Sequence, residues 1–355
     1  MTISLEIEFV DSVDELRGSW TTLAEKSGNI FSTWEFISTW WRHFGPGRES
    51  IIVACRSRNG DLLAILPLYR RVVRRLPVVR FMGHGAGDEL GPVCAASDRA
   101  VSGHALRSLL EHRLEGWGVF LGEQLPVTGE WTWSDVLGGR SVAQVASPII
   151  RLNGMTWDDF LAARSPNFRQ QVRRRERNIF RRHDARYRLV TSSDPLQREL
   201  DTLFQLHRDR WRGEFTLFSA QEAFQREFAE IAQERGWLRL WFLELDGKAV
   251  AAWYGFRFMR ADCYYQAGRD PGLDHESAAF VLFSHTIREA VTDGLLEYRL
   301  LQGGEHYKYR FATDELGLET VAVGRGRIGR AALSVGIPVA KRSPFKFAAK
   351  ALLGV

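Results

Sequence analysis

The sequence predicts an α/β (α+β) protein of two domains in tandem, each a mixed, mainly antiparallel sheet flanked by helices. The length of 355 residues, with 45% hydrophobic side chains, exceeds one ordinary core and suits two domains of roughly 150 to 170 residues. Asn59-Gly60 and Asp246-Gly247 each separate two runs of strand character, which predicts one hairpin in each half. Glycines near 138–154 favour a division into residues 1–154, residues 155–323 and a basic tail at 324–355.

The first half opens with a strand at 3–10 and a helix at 11–26, for which Asp11 or Ser12 is the expected cap. A second helix begins near Ser32 and carries an aromatic stripe, which is typical of core packing. Asn59-Gly60 predicts a tight type I′ turn between two strands, because both residues tolerate positive φ angles. The strands expected here are 51–58, 61–72, 78–82, 117–121 and 147–152, with a helix at 102–114.

A glycine-rich segment at 83–92 follows the strand at 78–82. It resembles a phosphate-binding loop only weakly, because no Walker lysine and serine follow it. A second interpretation is a loop that brings its backbone and Asp88 or Glu89 close to a ligand, since glycine permits close approach. The plain alternative is a connecting turn.

The second half begins with Thr156 as a helix cap, and a new helix starts at Pro166 with Ser165 as its cap. Residues 164–188 contain ten arginines and two acids. These arginines form either a solvated helix face or an electrostatic site for phosphates, and both interpretations stay open. A strand at 186–191 and helices at 194–211 and 220–235 complete this part.

Residues 238–311 carry most of the functional signal. Strands at 237–245, 248–258 and 261–267 lead into a loop at 268–276, and Ser277 is the expected cap of a helix that runs to 292. A further strand follows at 296–301. A loop that points at a helix N-terminus offers a row of free amides, which suits a diphosphate.

Several segments resemble a known family. The three strands, Gly268-Arg269-Asp270-Pro271-Gly272 and the next helix and strand look like the core of a GNAT acyltransferase, so each domain is expected to be GNAT-like. Residues 304–311 are similar to the end signature of the BioF2-like or CelD-like branch. The likeness extends over residues 3–323 through Trp34-Glu35, Trp40-Trp41, the segment ending at Asp88 and the arginine-rich helix. These proteins resemble tandem GNAT folds, as do Fem-type aminoacyltransferases.

The resemblance implies transfer of an acyl group from acetyl-CoA or another acyl-CoA, used as a co-substrate with no metal. It assigns donor binding to residues at the loop and helix start: Gly268, Arg269, Gly272, Ser277 and Ala278. Asp274 departs from the usual diphosphate motif, which has a small residue there. Because a carboxylate repels a diphosphate, either the backbone at 277–279 binds the donor or the donor is not coenzyme A.

Four residues are candidates for the chemistry. Glu305 is a candidate base for the attacking ammonium, and Tyr307 is a candidate acid for the departing thiolate. Lys308 is expected to neutralise a developing oxyanion or hold an anionic substrate, and Asp88 is expected to reach the same cleft from the first domain. The plain alternative is a set of ordinary helix-start residues with Tyr307 half-buried.

Three functions remain open. The first is an acyl-CoA-dependent N-acyltransferase that acts on an amine or hydroxyl of a small molecule, sugar or polysaccharide precursor by direct attack at the domain interface. The second is a Fem-like aminoacyltransferase that takes its acyl group from charged transfer RNA, which the basic helix and the altered motif favour. The third is a non-catalytic binding component of an envelope-polymer system, such as one that makes exopolysaccharide.

The compartment expected from the sequence is the cytoplasm. Cys55, Cys94 and Cys263 show no CxxC spacing, and the histidines show no metal-ligand spacing, so no metal site is predicted. No leader pattern and no run of about 18 apolar residues occurs in the sequence. The tail at 324–355 has seven basic residues and no acid, which predicts either a self-packed tail or weak contact with the anionic inner face of a membrane.

Overall fold

The computed structural model describes residues 5–127, 129 and 131–342, with side chains described to 334. This part of the chain divides into two compact units. The first contains residues up to 146 and those from 316 onward, and the second is residues 147–315. The sequence-based division at 154/155 and 323/324 stays a prediction, and it differs from these units in the assignment of residues 147–154 and 316–323.

The first unit contains a sheet and its helices. The strands are β1 (Glu6–Val10), β2 (Glu49–Arg56), β3 (Leu62–Val73), β4 (Leu76–Phe81), β5 (Val93–Cys94), β6 (Val119–Pro126), β7 (Arg140–Arg151) and β13 (Asp314–Gly324), and the last two each contain a unit boundary. β1 pairs β2, β2 pairs β3 and β3 pairs β4, all antiparallel. β6 lies parallel to β4 on one side and antiparallel to β13 on the other. The helices are α1 (Arg17–Ser27), α2 (Trp34–Phe44), α3 (Arg99–Ser108), α4 (Trp133–Leu137) and α12 (Gly326–Arg342).

Two local predictions in the first unit are wrong. The hairpin between β2 and β3 is present, but Gly60 has a φ of +87° while Asn59 is not left-handed, so the turn is not type I′. The loop is longer instead, and the Ser57 amide donates to the Asp61 carbonyl. The first helix begins only at Arg17 and has no side-chain cap, so neither Asp11 nor Ser12 caps it.

The core of the first unit lies between the sheet and its helices. The aromatic stripe of α2 packs into this unit as expected, with Trp40 fully buried and its indole nitrogen donating to the His84 carbonyl. β13, which was not predicted as a strand, is bound to the unit by the buried Glu319 carboxylate. This carboxylate accepts hydrogen bonds from the Trp133 amide at 2.8 Å and the Ser134 hydroxyl at 2.7 Å.

The second unit contains the end of β7 and five further strands, β8 (Ala185–Leu189), β9 (Leu238–Leu245), β10 (Lys248–Phe258), β11 (Ala261–Arg269) and β12 (Glu297–Arg299). They form a sheet with the order β7, β12, β11, β10, β9, β8. β11 lies parallel to β12, and the other neighbouring pairs are antiparallel. The helices are α5 (Trp157–Ala162), α6 (Pro166–Arg182), α7 (Leu196–Arg210), α8 (Leu217–Ala220), α9 (Glu222–Glu234), α10 (Ala278–Thr292) and α11 (His306–Tyr309).

The local signals in the second unit are mostly confirmed. Asp246 and Gly247 have φ angles of +52° and +80°, as a type I′ turn requires. Thr156 caps α5 in a capping box, and Ser165 caps α6 with Pro166 at its first position. The core packs α6 and α10 against the sheet through Phe168, Val172 and Ile179. Among the described residues, no helix combines the length and apolar character needed to cross a bilayer.

Candidate active site

The second unit has an opening beside β11, where this strand separates from its parallel neighbour β12. β11 and β12 pair only through Ala261–Cys263 and Glu297–Arg299. Beyond these residues β11 continues to Arg269 while β12 has ended. A cavity of about 300 Å³ lies beside this free part of β11. Ligands of α/β proteins commonly bind beyond the carboxyl ends of parallel strands that part.

The cavity is apolar and largely aromatic. Its rings pack on one another, with centroids 5.0 Å apart for Tyr264 and Phe283 and 4.7 Å apart for Phe283 and Phe311. β10, β11, α10 and the segment around α11 supply most of the lining, which comprises Arg210, Ala252, Trp253, Tyr264, Ala267, Gly268, Arg269, Ala279, Phe280, Leu282, Phe283, Tyr307 and Phe311. This lining suits the apolar arm of a ligand, with Arg210 and Arg269 as its cationic members.

Tyr307 brings a hydroxyl to this otherwise apolar cavity. Burial raises the pKa of Tyr307 well above its ordinary value, and a hydrogen bond to Tyr264 raises it further. The phenol therefore keeps its proton at neutral pH. A protonated, half-buried hydroxyl is suited to giving a proton to a group that develops negative charge in the cavity.

A second cavity of about 290 Å³ lies at the start of α10 and shares Arg269, Ala279 and Phe280 with the first. Ser277 precedes the helix with a φ of +61° and makes no side-chain capping bond, so the prediction that it caps α10 is wrong. The left-handed backbone differs from the extended backbone of an ordinary cap. The Val281 amide donates to the Ser277 carbonyl, which is the first backbone hydrogen bond of α10. The amides of residues 278–280 precede it and are therefore available to a ligand.

Cations surround this helix start. Arg269 forms an ion pair with Asp274, which takes up its charge locally. Arg175 from α6 also lines the second cavity, with its guanidinium 4.6 Å from the Phe280 ring centroid, and it has no carboxylate partner within the described ranges. Desolvation lowers the pKa of Arg175, and nearby Arg310 and Arg174 lower it further. The second cavity therefore combines a helix N-terminus with an uncompensated cation, which favours an anion.

Residues 166–309 match the family described as acetyltransferase (GNAT) domain. This segment includes α6, the parting strands, α10 and Tyr307. It forms a GNAT-type acetyltransferase domain. The prediction of an enzyme of the N-acyltransferase type is thereby confirmed at the level of the domain.

Solved structures share the fold at low identity. FemX is 10% identical with a TM-score of 0.66, over 93% of this chain and 99% of that one. L-PGS from Bacillus licheniformis is 14% identical with a TM-score of 0.55, over 92% and 95%. A tandem GNAT protein from the clavulanic acid biosynthesis pathway is 11% identical with a TM-score of 0.52, over 91% and 99%. They confirm the predicted GNAT-like fold class, whereas no curated protein sequence matches the chain.

The predicted donor-binding residues lie at the two cavities of the GNAT domain, with one exception. Gly268 and Arg269 line the first cavity, and Arg269, Ser277 and Ala278 line the second. Gly272 lines neither, because it lies in the turn before α10, where its amide donates to the Asp270 carboxylate at 2.9 Å. Gly268 also has a packing role, since a Cβ there would lie 2.6 Å from the Cβ of Leu206.

The predicted catalytic residues are not all brought together. Tyr307 lines the cavity of the GNAT domain, whereas Glu305 is exposed and pairs with Lys308 at 3.0 Å. The Lys308 ammonium is buried and donates to the Gln302 carbonyl at 2.7 Å, which holds the loop before α11. Neither Glu305 nor Lys308 lines either cavity. Asp88 lies half-buried in the first unit, after β4, and its contribution stays a prediction.

The sequence reasoning missed three residues of the GNAT domain's site. Arg175 follows Val172 by three positions and precedes Ile179 by four, so it falls on the apolar stripe of α6. An arginine at a core-facing position of an otherwise solvated basic helix is the signal that would have identified it. Tyr264 and Arg210 gave no such signal, because tertiary contacts alone bring them to the cavity. No cluster of metal-binding side chains occurs among the described residues.

Proposed function

We propose that the chain transfers an acyl group from an acyl-CoA to an amine or hydroxyl of a small-molecule, sugar or polysaccharide-precursor acceptor. One observation carries this proposal. The apolar cavity beside the free part of β11 continues, through Arg269, Ala279 and Phe280, into the cationic cavity at the start of α10. An acyl-CoA has two matching parts, an acyl group at the end of a long thioester arm and a diphosphate.

The donor's phosphates would be held at the α10 N-terminus. The amides of residues 278–280 donate to no backbone carbonyl in the part of the chain that the structure describes, and the helix dipole adds positive potential there. Arg175 adds a cation that is not engaged by a carboxylate. Arg269 is close but is paired with Asp274, which explains how an acid at this position is compatible with a phosphate site.

The chemistry is a direct displacement at the thioester carbonyl. The acceptor nitrogen or oxygen forms a bond to the acyl carbon, the carbon–sulfur bond breaks, and the acceptor's proton goes to a base. Tyr307 is our proposed proton donor to the departing thiolate, because its hydroxyl lines the cavity and holds its proton at neutral pH. The proton that the base takes from the acceptor then returns through solvent to the phenolate. Glu305 is our proposed base, and it would have to leave its ion pair with Lys308 to act.

A specific observation favours a second candidate, an aminoacyl-tRNA-dependent transferase. α6 presents a row of exposed arginines, namely Arg173, Arg174, Arg177, Arg181 and Arg182. Such a row can follow the phosphates of a nucleic acid. FemX is among the structures that share the fold. In this second reading the two cavities would take the aminoacylated end of transfer RNA.

A thermal-shift experiment separates the two donors. We expect coenzyme A or acetyl-CoA at millimolar concentration to raise the melting temperature, because a ligand of the native state stabilises it. Deacylated transfer RNA is the parallel arm at matched ionic strength. A shift with transfer RNA and none with coenzyme A would overturn the acyl-CoA proposal. No shift with either would favour a non-catalytic binding component of an envelope-polymer system.

We also propose a cytoplasmic protein that contacts anionic lipid weakly through its basic tail at 324–355. In the described part of this tail, Arg327 and Arg330 lie exposed on α12. Residues 343–355 lie outside the described residues. Removing residues 343–355 and replacing both arginines with glutamine should reduce partition to phosphatidylglycerol vesicles. Partition equal to that of the intact chain would contradict the membrane contact.

A further inference from the structure

The apolar cavity beside β11 contains a cation that no described carboxylate offsets. Arg210, the last residue of α7, lines this cavity together with Arg269. Arg269 is paired with Asp274. Arg210 forms no ion pair in the part of the chain that the structure describes. The neighbouring Asp209 carboxylate accepts a hydrogen bond at 2.8 Å from a side-chain amide of the same helix instead.

Two contacts hold the Arg210 guanidinium at the cavity. One of its nitrogens donates to the Ala267 carbonyl of β11 at 3.2 Å, and its central carbon lies 5.5 Å from the Trp211 ring centroid. α7 lies directly on β11 here, because a Cβ at Gly268 would lie only 2.6 Å from the Leu206 Cβ. A guanidinium has five N–H donors, so the half-buried Arg210 keeps donors for a ligand.

Arg210 also lies close to the proposed proton donor. Burial raises the pKa of Tyr307 most, and the nearby charge of Arg210 acts in the opposite direction. Desolvation lowers the pKa of Arg269, and the charges of Arg210 and Arg212 lower it further, so these three guanidinium groups are neighbours. Arg212 is exposed, and it too forms no ion pair among the described residues.

The donor of the proposed reaction supplies no anion at Arg210. We assign its diphosphate to the start of α10, and Arg210 does not line the cavity there. The arm of an acyl-CoA between the diphosphate and the thioester is uncharged. A donor that fills the apolar cavity therefore removes water from Arg210 without giving it a counter-ion, which is unfavourable for a charged group. An anionic group next to the reacting amine would offset this loss of hydration.

We propose that the acceptor is an amine that also bears an oxyanion, a carboxylate or a phosphate, and that Arg210 binds this oxyanion. The planar guanidinium suits two parallel hydrogen bonds to such a group. Arg212 adds positive potential that attracts an anionic substrate. The inference rests on the proposed acyl-CoA-dependent transfer and names the class of its acceptor.

The first step of the test separates this inference from the proposed function. Coenzyme A is titrated into the unaltered protein by calorimetry. If it does not bind, the proposed function is wrong and the inference fails with it. If it binds, the acceptor class is tested by itself.

Matched amines then measure the preference for an oxyanion. Release of the coenzyme A thiol from acetyl-CoA is followed with each amino acid against its carboxamide, and with phosphoethanolamine against ethanolamine. These two arms distinguish a carboxylate from a phosphate. We expect kcat/KM for the preferred anionic amine to exceed that for its neutral counterpart roughly tenfold or more, because the oxyanion adds a charged hydrogen bond.

Variants assign this preference to Arg210. Arg210→Gln should lower the ratio of the two kcat/KM values roughly tenfold. Arg210→Lys should restore part of the ratio, because it keeps the charge without the planar fork. Arg198→Gln removes an exposed arginine from the same helix and should leave the ratio unchanged. Comparing ratios between variants cancels differences in amine basicity and any general effect of the lost charge on Tyr307.

Several results overturn the inference in a protein that binds coenzyme A. One is the absence of transfer to any anionic amine, or equal transfer to its neutral counterpart. Another is an unchanged ratio in an Arg210→Gln protein whose melting temperature shows that it is folded. If that variant does not fold, Arg212→Gln decides, because it removes an exposed charge and should lower the ratio about threefold. An unchanged ratio in Arg212→Gln then overturns the inference.

Two further arms identify an oxyanion that belongs to the donor. A preference for succinyl-CoA over acetyl-CoA that Arg210→Gln removes would place the carboxylate on the acyl group. A loss of affinity in Arg210→Gln for coenzyme A but not for dephospho-coenzyme A would place the anion at the 3′-phosphate. Either result overturns the assignment of Arg210 to the acceptor.

Discussion

Arg269, at the end of β11, forms an ion pair with Asp274 in the turn that leads into α10. The acid that departs from the usual diphosphate motif is thus matched by the motif's own arginine. Desolvation lowers the pKa of Arg269, and the nearby charges of Arg210 and Arg212 lower it further, so a carboxylate partner is favourable there. The pair leaves Arg175 as the uncompensated cation of the second cavity.

Replacing Arg175 with glutamine should weaken coenzyme A binding roughly tenfold or more, because a charged hydrogen bond contributes about 1.5–3 kcal/mol. The measurement is the dissociation constant by calorimetry. Arg177→Gln is the matched control, since Arg177 is exposed on the same helix and lines neither cavity. Equal losses in the two variants would show that only the general charge of α6 matters. If the unaltered protein does not bind coenzyme A, the proposed donor is wrong instead.

Asp274→Asn should tighten coenzyme A binding by roughly threefold, because it removes a repulsive charge and releases Arg269. The effect is modest because the Asp274 side chain is 54% exposed and solvent screens it. The gain should shrink as salt is raised. Asp158→Asn, which removes a more exposed acid from α5, serves as the control. Weaker binding by Asp274→Asn would mean that Asp274 positions Arg269 for the phosphates.

Tyr307→Phe should lower kcat roughly a hundredfold with little change in KM for the donor, because it removes the proton donor and keeps the ring. Tyr309→Phe is the control on the same short helix, since its hydroxyl bonds to Glu315 and it lines neither cavity. The loss should be smaller for a donor whose thiol leaving group has a lower pKa. An unchanged kcat would remove Tyr307 from the proposed chemistry.

Gly268→Ala should reduce the free energy of unfolding by about 1–3 kcal/mol, as overpacking does. A Cβ there would lie 2.6 Å from the Leu206 Cβ and 2.7 Å from the His207 amide nitrogen of α7. Gly272→Ala is the control, because its nearest neighbour would be the Asp270 carboxylate at 3.1 Å. Urea unfolding of both variants measures the difference. Equal stability would show that α7 can move away from β11 at no cost.

The stability of the second unit should fall between pH 7 and pH 5. Burial lowers the pKa of His207 from 6.5 to about 4, so the native state binds fewer protons than the unfolded chain. The contribution of His207 is therefore complete above pH 6.5 and is lost as the pH falls toward 4. The loss amounts to roughly 2 kcal/mol between pH 7 and pH 5.

His207→Gln should reduce that loss in urea unfolding at the two pH values, whereas His104→Gln, at an exposed position, should not. His285 should add to the same loss of stability at low pH, because burial lowers its pKa to about 3. The double variant His207→Gln, His285→Gln should therefore lose less stability between pH 7 and pH 5 than His207→Gln alone. A pH dependence that is unchanged in the double variant would contradict the buried neutral histidines.

Local chemistry explains which parts of the fold were predictable. The caps at Thr156 and Ser165 and the Asp246-Gly247 turn depend on one or two residues each, so the sequence identified them. β13 was missed although Thr320, Val321 and Val323 favour a strand, because its partner β6 lies far away in the sequence and no local turn signal joins the two. Ser277 was misassigned because a left-handed backbone at the helix start cannot be read from the residue type.

The sequence by itself predicted the Asp246-Gly247 hairpin and the position of α10, because these depend on patterns along one stretch of chain. The resemblance carried by residues 268–272 and 304–311 predicted the GNAT-like core and suggested Arg269 as a site residue, and Tyr307 was proposed as an acid. Tertiary structure decided which of them face the cavities. It placed Tyr307 there and buried the Lys308 ammonium against carbonyl groups. It also paired Arg269 with Asp274 and brought Arg175 to the α10 start from a distant helix. Burial and charge balance arise only when separate elements pack together, so no local pattern could reveal them.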